Sequence, residues 1–126
     1  MKNFTFNAPP PDASKFNVPL IHILCEFYKE IYLLSPKIPK KDRFGIYLKI
    51  EGICLDIINL VITAALESKG EKFSTLQIAR IKIEVLKRLI RITHELKIIE
   101  NKKYINLESG LQEISKMING WIKYLK

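Results

Sequence analysis

One long stretch, Ser74 to Glu100, constrains the fold of this chain more than any other, because apolar residues recur along it with a helical period. Ser74 and Gln77 have the spacing of a capping box, which predicts that the helix begins at Ser74. The apolar side chains fall within one arc of about 200°, whereas a helix in a small monomeric bundle needs a stripe of about 100°. The excess indicates a second apolar contact, most simply with another subunit. The arc contains Ile78, Ala79, Ile81, Ile83, Val85, Leu86, Leu89, Ile90, Ile92, Leu96 and Ile99.

The opposite face of the same helix is basic. Its side chains are Arg80, Lys87, Arg91 and His94, with Arg88, Glu84 and Glu95 beside them. Lysines and arginines in such a row can follow a phosphate backbone, with an affinity that falls in salt and carries little sequence information. A row of charges on a helix is otherwise commonly a solvated face.

The charge of the whole chain favours polyanionic partners. The 126 residues form one domain and carry a net charge of +8, which favours nucleic acid first and an anionic membrane surface second. The alternative is that the charge serves solubility alone.

The order of signals along the chain predicts an all-α protein, an up-and-down bundle of four helices over residues 18–126. Residues 1–17 contain three successive prolines and are predicted to form an irregular arm. Pro19 suits the first turn of a first helix that ends before Pro36. Asp42 is the expected cap of a second helix that runs to about Ser68, and Asn106 the expected cap of the fourth.

The predicted second helix is apolar almost all round, which again favours burial in an oligomer. Its one polar strip contains Gly45, Lys49, Gly52, Asp56, Asn59, Thr63 and Glu67. Glu51 points into the apolar arc, where an unpaired carboxylate is costly. We expect Lys82 or Lys97 to pair with it, in preference to a catalytic role.

In an up-and-down bundle the turns after the first and third helices lie at the same end. This brings together the basic residues of the two turns and predicts one strongly electropositive end. The residues are Lys37, Lys40, Lys41 and Arg43 in the first turn, and Lys102 and Lys103 in the second.

Signatures of catalysis or metal binding are few. The histidines have no metal-ligand spacing, glycine-rich phosphate loops and GxSxG patterns are absent, and no cofactor or metal is expected. Arg88 and His94 have an Arg-x5-His spacing that resembles the motif of HEPN ribonucleases, although Leu89 stands where those proteins usually carry a polar residue. We favour a structural role for His94 on a solvated face.

Cys25 and Cys54 are expected to be buried free thiols, which fits a reducing compartment. The chain shows no secretory signal and no apolar run long enough to span a membrane. We therefore expect a cytoplasmic protein without a membrane partner.

Three segments, PKIPKKDRFGIYLKIE, KIEVLKRLIRITHELKII and EISKMINGWIKYLK, together resemble the accessory variability determinant (Avd) proteins of diversity-generating retroelements. Their superfamily includes bundle proteins encoded in intervening sequences of ribosomal RNA genes. The resemblance covers about Ser35 to Lys126. It implies a basic homopentameric barrel of four-helix bundles that has no enzymatic activity, binds RNA or DNA without marked sequence preference, and binds a reverse transcriptase.

The resemblance also implies which residues contact these partners. Arginines in the third helix of Avd-like proteins matter for the contact with the reverse transcriptase, and Lys87 and Arg91 occupy the matching positions. Lysine at the first position keeps the charge but loses bidentate geometry. Arg80, Arg88, Lys40, Lys41 and Arg43 complete the expected binding surface.

The hypothesis is therefore an accessory factor that supports mutagenic complementary-DNA synthesis. The alternatives are an RNA-binding bundle protein of the intervening-sequence type, a HEPN-like ribonuclease that uses Arg88 and His94, and a purely structural bundle protein.

Overall fold

The computed structural model describes the backbone of residues 11–126 and the side chains of residues 16–126. Four long helices carry the fold, with a short 3-10 turn at Ser35–Lys37 and the one-turn helix α2 (Lys40–Arg43) after the first of them. The long helices are α1 (Pro11–Leu34), α3 (Ile46–Leu66), α4 (Lys69–Glu95) and α5 (Asn101–Leu125). No strand occurs in the described residues.

Each long helix packs against two others. Helix α1 contacts α3 and α5, and α4 contacts the same two helices. Because consecutive helices are neighbours joined by short connections, the chain is an up-and-down four-helix bundle. The predicted fold class is confirmed for the single chain.

The first helix begins earlier than the sequence suggested. It starts at Pro11, so the predicted start at Pro19 was wrong, and Pro19 lies inside the helix, where its ring removes one hydrogen-bond donor. Residues 11–17 of the predicted arm are thus helical, and residues 1–10 lie outside the described residues. The predicted end before Pro36 is confirmed by the end of α1 at Leu34.

Apolar side chains from all four long helices fill the core, and Trp121 and Tyr47 are its largest fully buried members. The hydroxyl of Tyr47 donates a hydrogen bond to the carbonyl of Ile31, which ties α3 to α1. Burial is the main reason why the pKa of Tyr47 lies above its usual range. Cys54 is also buried, which raises the pKa of its thiol to about 12, while Cys25 is half-buried.

The connection between α3 and α4 consists of Glu67 and Ser68 alone. Ser68 is the residue before α4, and its hydroxyl lies 3.1 Å from the Glu71 carboxylate. Ser68 is therefore the N-cap residue of α4, and its hydroxyl donates to the Glu71 carboxylate instead of accepting from a backbone N–H. The predicted box at Ser74 was wrong, because Ser74 lies inside the helix.

Two other predicted caps also lie inside helices. Asp42 belongs to α2, and Gly45 precedes α3. A Cβ at Gly45 would lie 3.0 Å from the Lys41 carbonyl oxygen, so this tight turn favours glycine. Asn106 lies inside α5, which begins just after Glu100.

Helix α4 ends in a Schellman turn. The Ile98 N–H donates to the Thr93 carbonyl at 2.8 Å and the Lys97 N–H to the His94 carbonyl at 3.0 Å. Lys97 adopts the left-handed conformation that this turn requires, with φ of 59°. The turn directs the chain straight into α5.

Candidate nucleic-acid and partner-binding surfaces

Three cations of the predicted basic row lie together in a groove between α4 and α5. The groove encloses about 310 Å³ and is lined by Glu84, Lys87, Arg88 and Arg91 of α4 and by Glu108 of α5. Lys87 pairs with Glu84 at 3.2 Å, which leaves the two arginines facing one further carboxylate. The groove is positively charged, and the acids within it moderate that charge.

Arg80 extends the same row toward the start of α4. It is half-buried, and its Nε donates to the side-chain oxygen of Gln77 at 3.0 Å. This bond holds the guanidinium along its own helix. Arg80 does not line the groove.

The basic residues after α1 have different roles. Lys40 and Lys41 are exposed. Arg43 is half-buried and donates to the Ile38 carbonyl at 3.1 Å and more weakly to the Pro36 carbonyl at 3.5 Å. Its guanidinium therefore holds the connection between α1 and α3 in place, while the two lysines stay free to meet a partner.

The two basic connections do lie at the same end of the bundle. Lys37 from the first connection and Lys103 from the start of α5 line one cavity of about 230 Å³. Lys97 lines the same cavity, and sequence reasoning had not placed it there. Its left-handed backbone brings it to this end, and the sequence shows no glycine that would mark such a turn.

His94 packs against the neighbouring helix. Its ring stacks on Tyr104 of α5, with centroids 4.0 Å apart and planes 14° from parallel. It lines a cavity with Glu95 and Asn101, whereas Arg88 lines the α4–α5 groove. Because the two residues do not converge on one site, nothing in the described residues supports the ribonuclease alternative.

Apolar side chains remain exposed on the outside of α3. Leu48, Leu55 and Ile62 recur every seven residues and are 54%, 48% and 42% exposed. They form the outer apolar stripe, which Phe44 and Leu66 extend at its two ends. Heptad spacing of this kind is typical of helix faces that pack against another helix.

Helix α4 has a second exposed apolar stripe, formed by Ile78, Ile81 and Val85. It belongs to the wide arc from which a subunit contact was predicted. Lys82, between these residues, pairs with Asp56 of α3 at 3.7 Å.

The expected partner of Glu51 is absent from the described part of the chain. Lys82 pairs with Asp56, and Lys97 lies in the turn after α4, so the predicted ion pair was wrong. Glu51 is half-buried, and this burial raises the pKa of its carboxyl. A carboxylate thus lies beside the outer apolar stripe without a cation.

The described residues offer neither a membrane-spanning helix nor a metal site. None of their helices combines the length and the hydropathy needed to cross a membrane. They also contain no group of three or more histidine, cysteine or acidic side chains placed to hold a metal ion.

The fold and these surfaces define a basic four-helix-bundle protein with exposed apolar faces. A model of the bAvd-like family matches residues 21–125, so the chain belongs to the bAvd-like family. The match covers α3, α4, α5 and most of α1, and it confirms the resemblance to Avd proteins. The family is one of accessory proteins and is not known for enzymatic activity. None of the curated proteins matches the chain.

Proposed function

We propose that this protein is the accessory factor of a diversity-generating retroelement. It acts in the cytoplasm as a basic homopentamer, binds nucleic acid and the retroelement reverse transcriptase, and supports mutagenic complementary-DNA synthesis. The α4–α5 groove is the observation that carries the proposal, because it gathers Lys87, Arg88 and Arg91 on one surface of a bAvd-like protein.

The groove binds the phosphate backbone through charge. Arginine forks can hold one phosphate through two parallel bonds, and lysine adds a mobile point charge. Such contacts release counterions from the nucleic acid, so the affinity falls steeply as salt rises. They read no base edges, which accounts for binding without sequence preference.

The reverse transcriptase uses the same surface, with Lys87 and Arg91 as its principal contacts. Both residues lie on a regular helix, which gives the docking surface a fixed geometry. Acidic side chains of the enzyme would pair with them in place of phosphate.

Assembly multiplies these modest charges. The outer apolar stripe of α3 and the exposed stripe of α4 pack between neighbouring subunits. In a closed ring every cation is repeated around the axis, which raises the local field that attracts a polyanion.

The test is a binding series with a labelled single-stranded oligonucleotide, measured by fluorescence anisotropy. Lys87→Glu and Arg91→Glu should each weaken binding by about tenfold or more, since each replaces an attraction with a repulsion. Lys116→Glu is the matched control, because Lys116 is an exposed lysine of α5 outside the groove. It makes the same change in net charge and should have a much smaller effect.

Binding should also weaken as salt rises. Binding that is absent, or that does not change with salt, would contradict the nucleic-acid part of the proposal. Co-purification with a reverse transcriptase of a diversity-generating retroelement tests the protein contact, which the same two variants should abolish and Lys116→Glu should preserve.

A further inference from the structure

A cleft at the basic end of the bundle separates α1 from the turn that leads into α5. It consists of two adjoining cavities of about 230 and 290 Å³, which share Leu34, Lys37 and Lys103. Together they reach the size range of small-ligand pockets, about 300 to 1,000 Å³. The cleft is distinct from the α4–α5 groove, with which it shares no residue.

We propose that this cleft binds a nucleoside monophosphate. The phosphate lies in the first cavity among Lys37, Lys97 and Lys103, and the base lies in the second cavity against Leu33, with its edge toward Glu30 and Asn106. The ligand is a free nucleotide or the 5′-terminal nucleotide of a bound strand. The second form rests on the proposed nucleic-acid function.

The first cavity suits a phosphate because cations outnumber acids in it. Three lysines line it, and among the described residues of its wall Glu100 alone carries a carboxylate. A terminal phosphate carries up to two negative charges, one more than a phosphate inside a strand, and therefore gains more from several ammonium groups. Its walls also include Ile98 and Ile99, which limit competing water.

The backbone of Lys97 supports the same assignment. Its φ of 59° is a conformation in which glycine is usual, and a lysine there costs free energy. The Schellman turn that ends α4 fixes this conformation, and with it the position of the Lys97 side chain in the cavity wall.

The second cavity suits a base because it combines apolar walls with a polar edge. Leu33 is 71% exposed and lines this cavity with the buried Leu107. Glu30 and Asn106 line it as well. A carboxylate accepts hydrogen bonds from the amino group of a base such as cytosine, and a side-chain amide offers both a donor and an acceptor.

The test begins with the full chain and three probes: cytidine monophosphate, cytidine and inorganic phosphate, each titrated by calorimetry. Cytidine monophosphate should bind about tenfold more tightly than either fragment, since only it fills both cavities. Equal affinities for the nucleotide and inorganic phosphate would overturn the base subsite, and absence of nucleotide binding would overturn the whole proposal.

Variants then assign the phosphate contacts. Lys37→Gln and Lys103→Gln should each weaken binding of the nucleotide by about tenfold, the usual effect of losing a charge-assisted contact. Lys116→Gln removes the same charge outside the cleft and should leave the affinity unchanged. Lys97→Gly should weaken binding although it relieves backbone strain, so lost binding there cannot be attributed to unfolding. Unchanged affinity in all three cleft variants would place the nucleotide elsewhere.

Oligonucleotides separate the two sources of the ligand. A strand with a 5′-phosphate that binds more tightly than the same strand with a 5′-hydroxyl supports the strand-end form, and equal binding with retained nucleotide affinity supports the free nucleotide. Lys87→Glu and Arg91→Glu should weaken the 5′-hydroxyl strand and leave cytidine monophosphate binding intact. Failure of the proposed function and failure of this cleft would therefore be seen in different measurements.

Discussion

Among the described residues other than glycine, Lys97 alone has a positive φ, which is 59°. It lies in the turn that ends α4, at a position where glycine is favoured. Lys97→Gly should therefore raise the free energy of unfolding by about 1 kcal/mol, the usual cost of a left-handed residue that carries a Cβ. Urea unfolding followed by circular dichroism measures the change.

Lys97→Ala is the control for this prediction. It removes the same charge and the same long side chain but keeps the Cβ, so it should not share the gain. An equal increase in both variants would assign the effect to the lost charge and contradict the strain argument.

At the scale of single residues, the clustering of the groove cations could be predicted because they share one helix face. Lys87 and Arg91 are four residues apart, and helix geometry alone makes them neighbours. Glu108 could not be predicted as their neighbour, nor Tyr104 as the neighbour of His94, since both belong to α5. The register between two helices is set by how their side chains interlock, and no periodicity within either helix reports it.

At the scale of the helix, two serines near the start of α4 have similar sequence neighbours but different structural positions. Ser68 precedes the helix and bonds to Glu71, whereas Ser74 is exposed inside it. Ser68→Ala should lower the free energy of unfolding by about 0.5 kcal/mol, because Glu71 loses the hydroxyl that donates to it at the start of the helix. Thermal unfolding of the two single variants checks this.

Ser74→Ala is the matched variant. It should leave the protein as stable or slightly more stable, because alanine is the better helix former. A larger loss at Ser74 than at Ser68 would show that the helix begins where the sequence pattern first suggested.

Residues 69–73 fall between the predicted second and third helices, although they belong to α4, because charged residues there hide a buried face. Lys72 is buried, and its ammonium lies 5.9 Å from the centre of the Trp121 ring. A lysine can pack its aliphatic stem on the core while its charge meets an aromatic face. A hydropathy scale counts Lys72 as polar, so the apolar pattern of the sequence did not include the first turn of α4.

For the whole molecule, the arrangement of surfaces follows from the bundle. Cations lie on the α5 side of α4, and exposed apolar side chains lie on α3 and on the other side of α4. Fold class and helix order could be predicted from apolar periodicity. The wide apolar arcs were also visible in the sequence, but the partner that covers them is not encoded in one chain's periodicity.

The last prediction concerns the proposed pentamer. The assembled protein should have a mass of about five times 14.7 kDa in multi-angle light scattering at micromolar concentration. Leu55→Glu should shift it toward 14.7 kDa, because a charge would enter the outer apolar stripe at a subunit contact. Helical content should stay the same, since Leu55 is 48% exposed in the single chain.

Gln112→Glu adds the same charge at an exposed position of α5, a helix that carries neither apolar stripe, and should leave the pentamer intact. Leu55→Glu should also weaken oligonucleotide binding although it leaves every groove cation in place, because a monomer presents one groove where a ring presents five. A wild-type monomer would refute the assembly. A Leu55→Glu variant that stays pentameric would instead move the subunit contact away from the outer apolar stripe and toward Ile78, Ile81 and Val85 on α4.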